Sequence, residues 1–264
     1  MTADDGLVFA RQGYESAATA WADGAELVYG PMADALLARA PDLAGHLVLD
    51  VGAGTGAVSH RLLAAGAHVV AVDASWPMLA HDAPSRPPAV VGDISRLPLV
   101  DGAFDGAAAA FVLNHLAEPV AALVEMRRVV RRGGFIVASV FSTTDPPGAK
   151  AAIDGALTRA GWEPPEWYRF LKSVDGQLGT ADTMRVAAQA ADLEHVDVVD
   201  QPVRTGVTEP RDIVRYRLSQ PQRAPFVAEL SATTRRRVVD ECVAAVAAVG
   251  EAFEPGVVLL AARA

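Results

Sequence analysis

The chain has 264 residues, 51% hydrophobic and 21% charged; that much apolar material excludes a disordered chain, and the length suits one large domain. Its 23 basic residues against 32 acidic ones leave a net charge of −9, a poor balance for neutralising phosphates, so no nucleic-acid partner is expected. The single cysteine, Cys242, provides neither a disulfide framework nor a thiolate metal cluster. The acidic start, Met1 to Asp5, lacks the layout of a signal peptide. No run approaches the roughly 18 uninterrupted apolar residues that cross a bilayer. A cytoplasmic protein with no membrane partner is therefore expected.

Residues 7–40 read as helix, with apolar side chains at three- and four-residue spacing through Tyr14, Ala17, Ala18, Trp21, Met32, Leu36 and Leu37. From Leu47 the period changes. Leu47 to Val51 is an apolar run too short for a stable helix, and it breaks into Gly52-Ala53-Gly54-Thr55-Gly56. A helical stretch, Ala57 to Ala65, and a second strand, Ala67 to Val72, complete a βαβ unit with parallel strands. Ala89 to Val91 and Phe104 to Val112 predict further strands, Pro119 to Arg131 a helix, and Phe135 to Phe141 a fifth strand after the Gly133-Gly134 turn. Val196 to Val203 and Val257 to Ala262 extend the sheet. Continuous apolar strands between helices imply an open, doubly wound α/β sheet covered on both faces.

Two segments break the alternation. Residues 142–179 contain Pro146-Pro147 and Pro164-Pro165 and hold Trp162, Trp167, Tyr168 and Phe170. Residues 204–255 carry helical patterns around Ile213–Leu218 and Thr233–Val249. Both follow carboxyl ends of strands, where ligands bind in such sheets, so they are either a cap over the site or packing helices.

The glycine loop carries the chemistry. Glycines let backbone approach a ligand closely, and the following helix offers unpaired N–H groups. Asp73 ends the next strand, placed to accept hydrogen bonds from ribose hydroxyls, and Asp93 ends the third. Acids at successive strand ends point to a nucleoside ligand. Gly52 to Ala57 satisfies a relaxed dinucleotide pattern, and Tyr168 with Lys172 spells the Tyr-x-x-x-Lys pair of short-chain dehydrogenases. However, that pair lies in a Pro- and Trp-rich segment, away from the fourth strand. An acid at Asp50 also suits an ammonium better than a pyrophosphate.

Leu47 to Gly56 resembles the first motif of class I S-adenosylmethionine-dependent methyltransferases. The likeness continues through Val70-Ala71-Val72-Asp73-Ala74-Ser75 with Met78, through Gly92-Asp93-Ile94, and through Leu97-Pro98 to Phe104-Asp105. Arg128 to Gly134 resembles the family's turn into its fifth strand, and Tyr14-Glu15-Ser16-Ala17-Ala18 with Trp21 resembles the entry helix of the small-molecule branch. The resemblance implies a seven-stranded, mostly parallel Rossmann-like sheet forming a single domain over 1–264. Residues 1–44 would be N-terminal helices, 45–141 the cofactor-binding core, and 142–179 and 204–255 cap or substrate segments. It implies S-adenosylmethionine as cofactor and a small-molecule methyl acceptor. Gly52 and Gly54, with Ala53 between them, would pass under the methionine portion, and Asp50 would lie near its ammonium. Asp73 would hold the ribose diol, with Ala74 beside it. Met78 and Ile94 would sandwich the adenine, and Asp93 would accept from its exocyclic amine. Phe111 would line the transfer face, and Tyr14 would close over the methionine end.

Methyl transfer from a sulfonium rests mainly on positioning, and a base is needed only when the nucleophile arrives protonated. His115, just past strand four, is the candidate base; because Leu113-Asn114-His115-Leu116 resembles a stretch found throughout the branch, a structural or cofactor-shell role is the alternative. Glu166 and Tyr168 are further candidates. His46, His60, His68 and His81 show no metal-ligand spacing. Trp167, Tyr168 and Tyr216 would either form an apolar wall for the acceptor or lie in the core under a loop. A nicotinamide-dependent oxidoreductase and a non-catalytic cofactor-binding scaffold are the rival functions.

Overall fold

The computed structural model describes residues 3–81, 83–145, 148–250 and 252–264, excepting the side chains of 3–10, 174 and 175. Met1 and Thr2 of the acidic start and Pro146-Pro147 of the first segment that breaks the alternation lie outside the described residues.

The chain opens on α1 (Ala3–Leu37), a 35-residue helix that continues through Pro31. A proline inside a helix removes one backbone hydrogen bond, and burial of Val28, Met32, Ala33 and Leu36 around it offsets that loss. The core then alternates: β1 (Leu47–Val51), α2 (Ala57–Ala64), β2 (His68–Asp73), α3 (Trp76–Ala80), β3 (Ala89–Val91), β4 (Phe104–Ala110), α4 (Pro119–Val129) and β5 (Val130–Phe141). After it come α5 (Ala149–Arg159), α6 (Glu166–Val174), α7 (Ala181–Ala190), β6 (Glu194–Pro202), α8 (Pro210–Leu218), α9 (Ala224–Glu229), α10 (Ala232–Val249) and β7 (Gly256–Arg263).

One seven-stranded sheet has the order β3-β2-β1-β4-β5-β7-β6. Neighbours from β3 through β5 pair parallel, while β7 runs antiparallel to both β5 and β6. The doubly wound, mostly parallel fold expected from the sequence is present. Successive residues face opposite sides of a strand, so Val48, Ala108, Phe135 and Val257 join the core under α1, α5, α8 and α10. Their neighbours Leu49, Ala107, Ile136 and Val258 join the core under α4 and α7. The last strand inserts between its two predecessors. Val257 to Leu260 are fully buried, whereas β6 carries Glu194, Asp197 and Asp200 and takes the edge. Charged side chains on an edge strand discourage pairing with other chains. The expected Gly133-Gly134 turn is instead an irregularity within β5, where the register with β4 shifts.

Of the two segments that break the alternation, α5 and α10 pack on the sheet face through Ile153, Ala156, Leu157, Val238, Cys242 and Val246. Burial raises the Cys242 thiol to about 11, so it stays a thiol. Among the described residues, no helix is long and apolar enough to cross a membrane.

Candidate active site

The carboxyl ends of β1 to β4 share one edge of the sheet, and each strand end has a different shape there. β1 runs into the glycine loop. Gly52, Gly54 and Gly56 all have positive φ, at 71°, 52° and 101°, a region that side chains with a Cβ rarely enter. Gly52 has a second constraint, because a Cβ there would overlap the side chain of Val112. The Gly52 and Ala53 N–H groups both donate to the Val72 carbonyl, at 2.8 and 3.0 Å. The loop is thereby fastened to β2 while its other face stays open.

At the end of β2, Asp73 accepts from the Gly54 N–H at one carboxylate oxygen and the Ser75 N–H at the other, both at 2.8 Å. Burial raises its pKa, and the two backbone donors work against that. Ser75 caps α3 by accepting from the Met78 N–H. Arg86 ties the loop to this helix: its guanidinium donates to the Gly54 carbonyl at 2.6 and 3.0 Å, and to the carbonyls of Leu79 and Met78 at 3.1 and 3.3 Å. Beyond β3, the Asp93 carboxylate accepts from the Ser95 N–H at 2.7 Å, and Ile94 is buried beside it.

Phe111 follows β4 directly, at φ 56°, a conformation that costs a bulky residue on the order of 1–3 kcal/mol. Its N–H donates to the Ser139 carbonyl of β5 at 2.8 Å. Its ring meets Tyr29 and Phe141, with centroids 5.2 and 4.6 Å apart. Across from it the Tyr14 hydroxyl and His115 Nε2 are hydrogen-bonded at 3.0 Å, and Tyr14 packs edge-on against Trp21 at 5.5 Å.

These walls enclose a cavity of about 420 Å³. Of the residues singled out in the sequence, Tyr14, Gly52, Ala53, Gly54, Asp73 and Ala74 line it, and so do Met78, Asp93, Ile94, Phe111 and His115. Four others do not. Asp50 is 1% exposed, turned inward under the loop, where its carboxylate accepts from Ser59 Oγ at 2.5 Å. Burial raises its pKa to about 6, against the Ser59 hydrogen bond and the Arg86 charge. Tyr216 is fully buried, its ring 6.0 Å from Tyr29 and its hydroxyl bonded to Gln220, so it belongs to the core beneath the wall. Trp167 and Tyr168 stand on α6, where Trp167 lines a separate groove with Trp162 and Phe226.

Sequence reasoning missed Tyr29 and Arg86. Tyr14, Trp21 and Tyr29 are spaced seven and eight residues apart, which puts them on one face of α1. That aromatic stripe roofs the cavity and is visible in the sequence. Arg86 has no such signal, because its role depends on carbonyls brought together by folding.

The lining suits a nucleoside carrying an amino-acid tail. A Cβ on Gly54 would come 3.5 Å from the Met78 methyl, in the gap between loop and α3 that the glycine leaves clear. Asp73 presents a carboxylate for a diol, and Met78 and Ile94 present apolar surfaces for a flat ring.

Residues 49–138 match the methyltransferase-domain family. The chain is 45% identical over 169 residues to the demethylmenaquinone methyltransferase of Beutenbergia cavernae, spanning 58% of this chain and 68% of the relative. It is 46% identical over 99 residues to the enzyme of that name from Mycolicibacterium paratuberculosis, covering 38% of this chain and 43%, less than half, of the relative. Among solved structures, the Haemonchus contortus phosphoethanolamine N-methyltransferase 2, in complex with phosphomonomethylethanolamine and S-adenosylhomocysteine, superimposes with a TM-score of 0.57. That match is 18% identical and covers 88% of this chain and 52% of the other; it shows a shared fold. Neither an oxidoreductase nor a non-catalytic scaffold is favoured by these relatives. The chain belongs to the class I methyltransferases, enzymes that use S-adenosylmethionine as cofactor.

Proposed function

We propose that the cavity holds S-adenosylmethionine along the carboxyl edge of β1 to β4 and that the acceptor is an apolar or aromatic small molecule entering against Phe111. One observation carries this reading: the Asp73 carboxylate, locked by the Gly54 and Ser75 N–H groups, lies between the glycine loop and the apolar slot of Met78 and Ile94. Asp73 would accept from the two ribose hydroxyls, and Asp93 from the adenine amine. Gly52, Ala53 and Gly54 would pass under the methionine, with Ala74 beside the ribose. Asp50 would act from beneath the loop as a negative charge on the ammonium side. When bound, the cofactor supplies an electrophilic methyl group on a sulfonium.

The chain's own residues then position the acceptor and exclude water. Phe111, Tyr29 and Trp21 form an aromatic wall, and α1 roofs it. Holding reactants in line is worth up to about 11 kcal/mol of barrier without a covalent intermediate. His115 and Tyr14 form a polar couple on this side that can shift a proton: Nε2 and the hydroxyl share a hydrogen bond at 3.0 Å. We assign His115 the role of accepting a proton from an acceptor hydroxyl or acidic carbon, with Tyr14 holding the ring. The acidic balance of the chain supports action on a small molecule rather than on a nucleic acid.

Demethylmenaquinone-type naphthoquinols come first among acceptors to try, because the relatives carry that name. The test is transfer of label from S-[methyl-³H]adenosylmethionine to a panel of naphthoquinols, phenols, amines and activated carbons. Label in a phenolic or quinol product supports the reading. Tight S-adenosylhomocysteine binding without transfer to any member contradicts it.

A further inference from the structure

The acid expected at the methionine end, Asp50, cannot touch a ligand: it is 1% exposed, stands outside the cavity lining, and accepts from Ser59 Oγ beneath the loop. Among the described residues, three other carboxylates line the cavity: Asp73, Asp93 and Glu26. The first two follow from the ends of β2 and β3 and face the ribose and adenine positions. Glu26 comes from α1 and has no part in holding either.

Glu26 is fixed at one particular place. The Arg61 Nη1 group donates to Glu26 Oε1 at 2.8 Å and to the Ala57 carbonyl at 3.0 Å. Arg61 Nε donates to Asp34, also on α1, at 2.8 Å. The carboxylate is thereby held next to the first residue of α2, where the glycine loop ends, and Thr55, Ala57 and Val58 line the same cavity. A Cβ on Gly30, one turn further along α1, would overlap both the Arg61 guanidinium and the Glu26 carboxylate. The glycine leaves room for the pair.

Arg61 occupies one oxygen of Glu26. Among the described residues Oε2 accepts no hydrogen bond, and 60% of the Glu26 side chain is exposed. A clamp between α1 and α2 accounts for the Arg61 contacts, because Asp34 and Ala57 serve it as well. It leaves the second oxygen of a cavity-lining carboxylate unused. The cation in the lining, Arg11, does not answer it. Arg11 is fifteen residues earlier on α1, roughly 22 Å along the helix axis, and it pairs with Glu15 at 3.5 Å.

We infer that Glu26 receives the ammonium of the methionine tail, so that α1 is part of the cofactor site as well as the roof of the cavity. This rests on the cavity being the S-adenosylmethionine site, with the tail over the glycine loop. A carboxylate already held at one oxygen by Arg61 accepts from an ammonium with little further ordering, and the contact is charge-assisted. Asp50 then acts from beneath the loop through its charge alone.

The test is calorimetry on the full chain with three probes: S-adenosylhomocysteine, its analogue lacking the amino group, and 5′-methylthioadenosine, which lacks both the amino and the carboxyl group. In Glu26→Gln, S-adenosylhomocysteine should bind about tenfold weaker, while the other two stay within about threefold of their wild-type affinities. The wild-type chain should itself prefer S-adenosylhomocysteine over the deaminated analogue by about tenfold or more. Unchanged S-adenosylhomocysteine affinity in Glu26→Gln would overturn the proposal. So would equal weakening of all three probes, the mark of a clamp between α1 and α2 and nothing more. Equal wild-type affinity for S-adenosylhomocysteine and its deaminated analogue would overturn it without any variant. A wild-type chain that binds none of the three would instead overturn the cofactor reading beneath it.

Discussion

Replacing Asp50 by asparagine should stabilise the cofactor-free protein, and the gain should depend on pH in a defined way. The carboxyl is buried at the end of β1 with Ser59 as its hydroxyl partner, and its pKa is raised from 3.8 to about 6, chiefly by burial. The folded state thus holds this proton more tightly than the unfolded chain does. The stabilising contribution is complete below the unfolded value and is lost as pH rises through the folded one. A gap of about two units at 1.36 kcal/mol each gives a loss of about 3 kcal/mol. The replacement amide has no charge to bury, and its oxygen can still accept from Ser59. The difference in unfolding free energy between variant and wild type should therefore grow by about 3 kcal/mol between about pH 4 and pH 6.5, then stay flat. Near neutral pH this corresponds to a melting difference of roughly 6–12 °C for a chain of this size. Urea unfolding of both proteins at matched pH values measures it. A difference that does not change with pH would refute the burial argument.

Asp73→Ala should weaken S-adenosylhomocysteine binding by about 1.5–3 kcal/mol, roughly ten- to 150-fold; unchanged affinity in calorimetry would contradict its ribose role. Gly52→Ala forces a Cβ into a positive-φ position and against Val112, and should cost about 2–3 kcal/mol in urea unfolding. Adding Val112→Ala should recover the steric part and leave the backbone part. Arg86→Met removes the clamp on the Gly54 carbonyl, and should raise KM for S-adenosylmethionine about tenfold while kcat at saturation changes less. His115→Gln should lower kcat on a hydroxyl acceptor by about a hundredfold or more while S-adenosylhomocysteine affinity stays within about threefold. Equal losses in both would assign His115 to the cofactor shell.

The parallel core was readable because its strands are buried on both faces. Leu47 to Val51 and Phe104 to Ala110 are apolar runs interrupted only by Asp50 in the first and by Asp105-Gly106 in the second, and the glycine loop marks the turn between strand and helix. Eleven of the residues singled out line the cavity, because strand ends in such a sheet converge on one edge. The readable pattern stops where partners are chosen by distant chain. Val257 to Ala262 reads as a strand, yet nothing local says that it enters between β5 and β6; that follows from its greater burial. Asp50 looked like a site residue from its place before the glycines, but alternation within β1 turns it inward to Ser59. Tyr216 fits a helical pattern equally well on either face, and the packing of α8 against α1 and α10 decides that it is core.

The most direct test of the account is a crystal structure of the full chain with S-adenosylhomocysteine. The expected complex has both ribose hydroxyls on the Asp73 carboxylate, the adenine between Met78 and Ile94, and the thioether sulfur facing Phe111. A product molecule bound elsewhere, or one whose ribose makes no contact with Asp73, would contradict it.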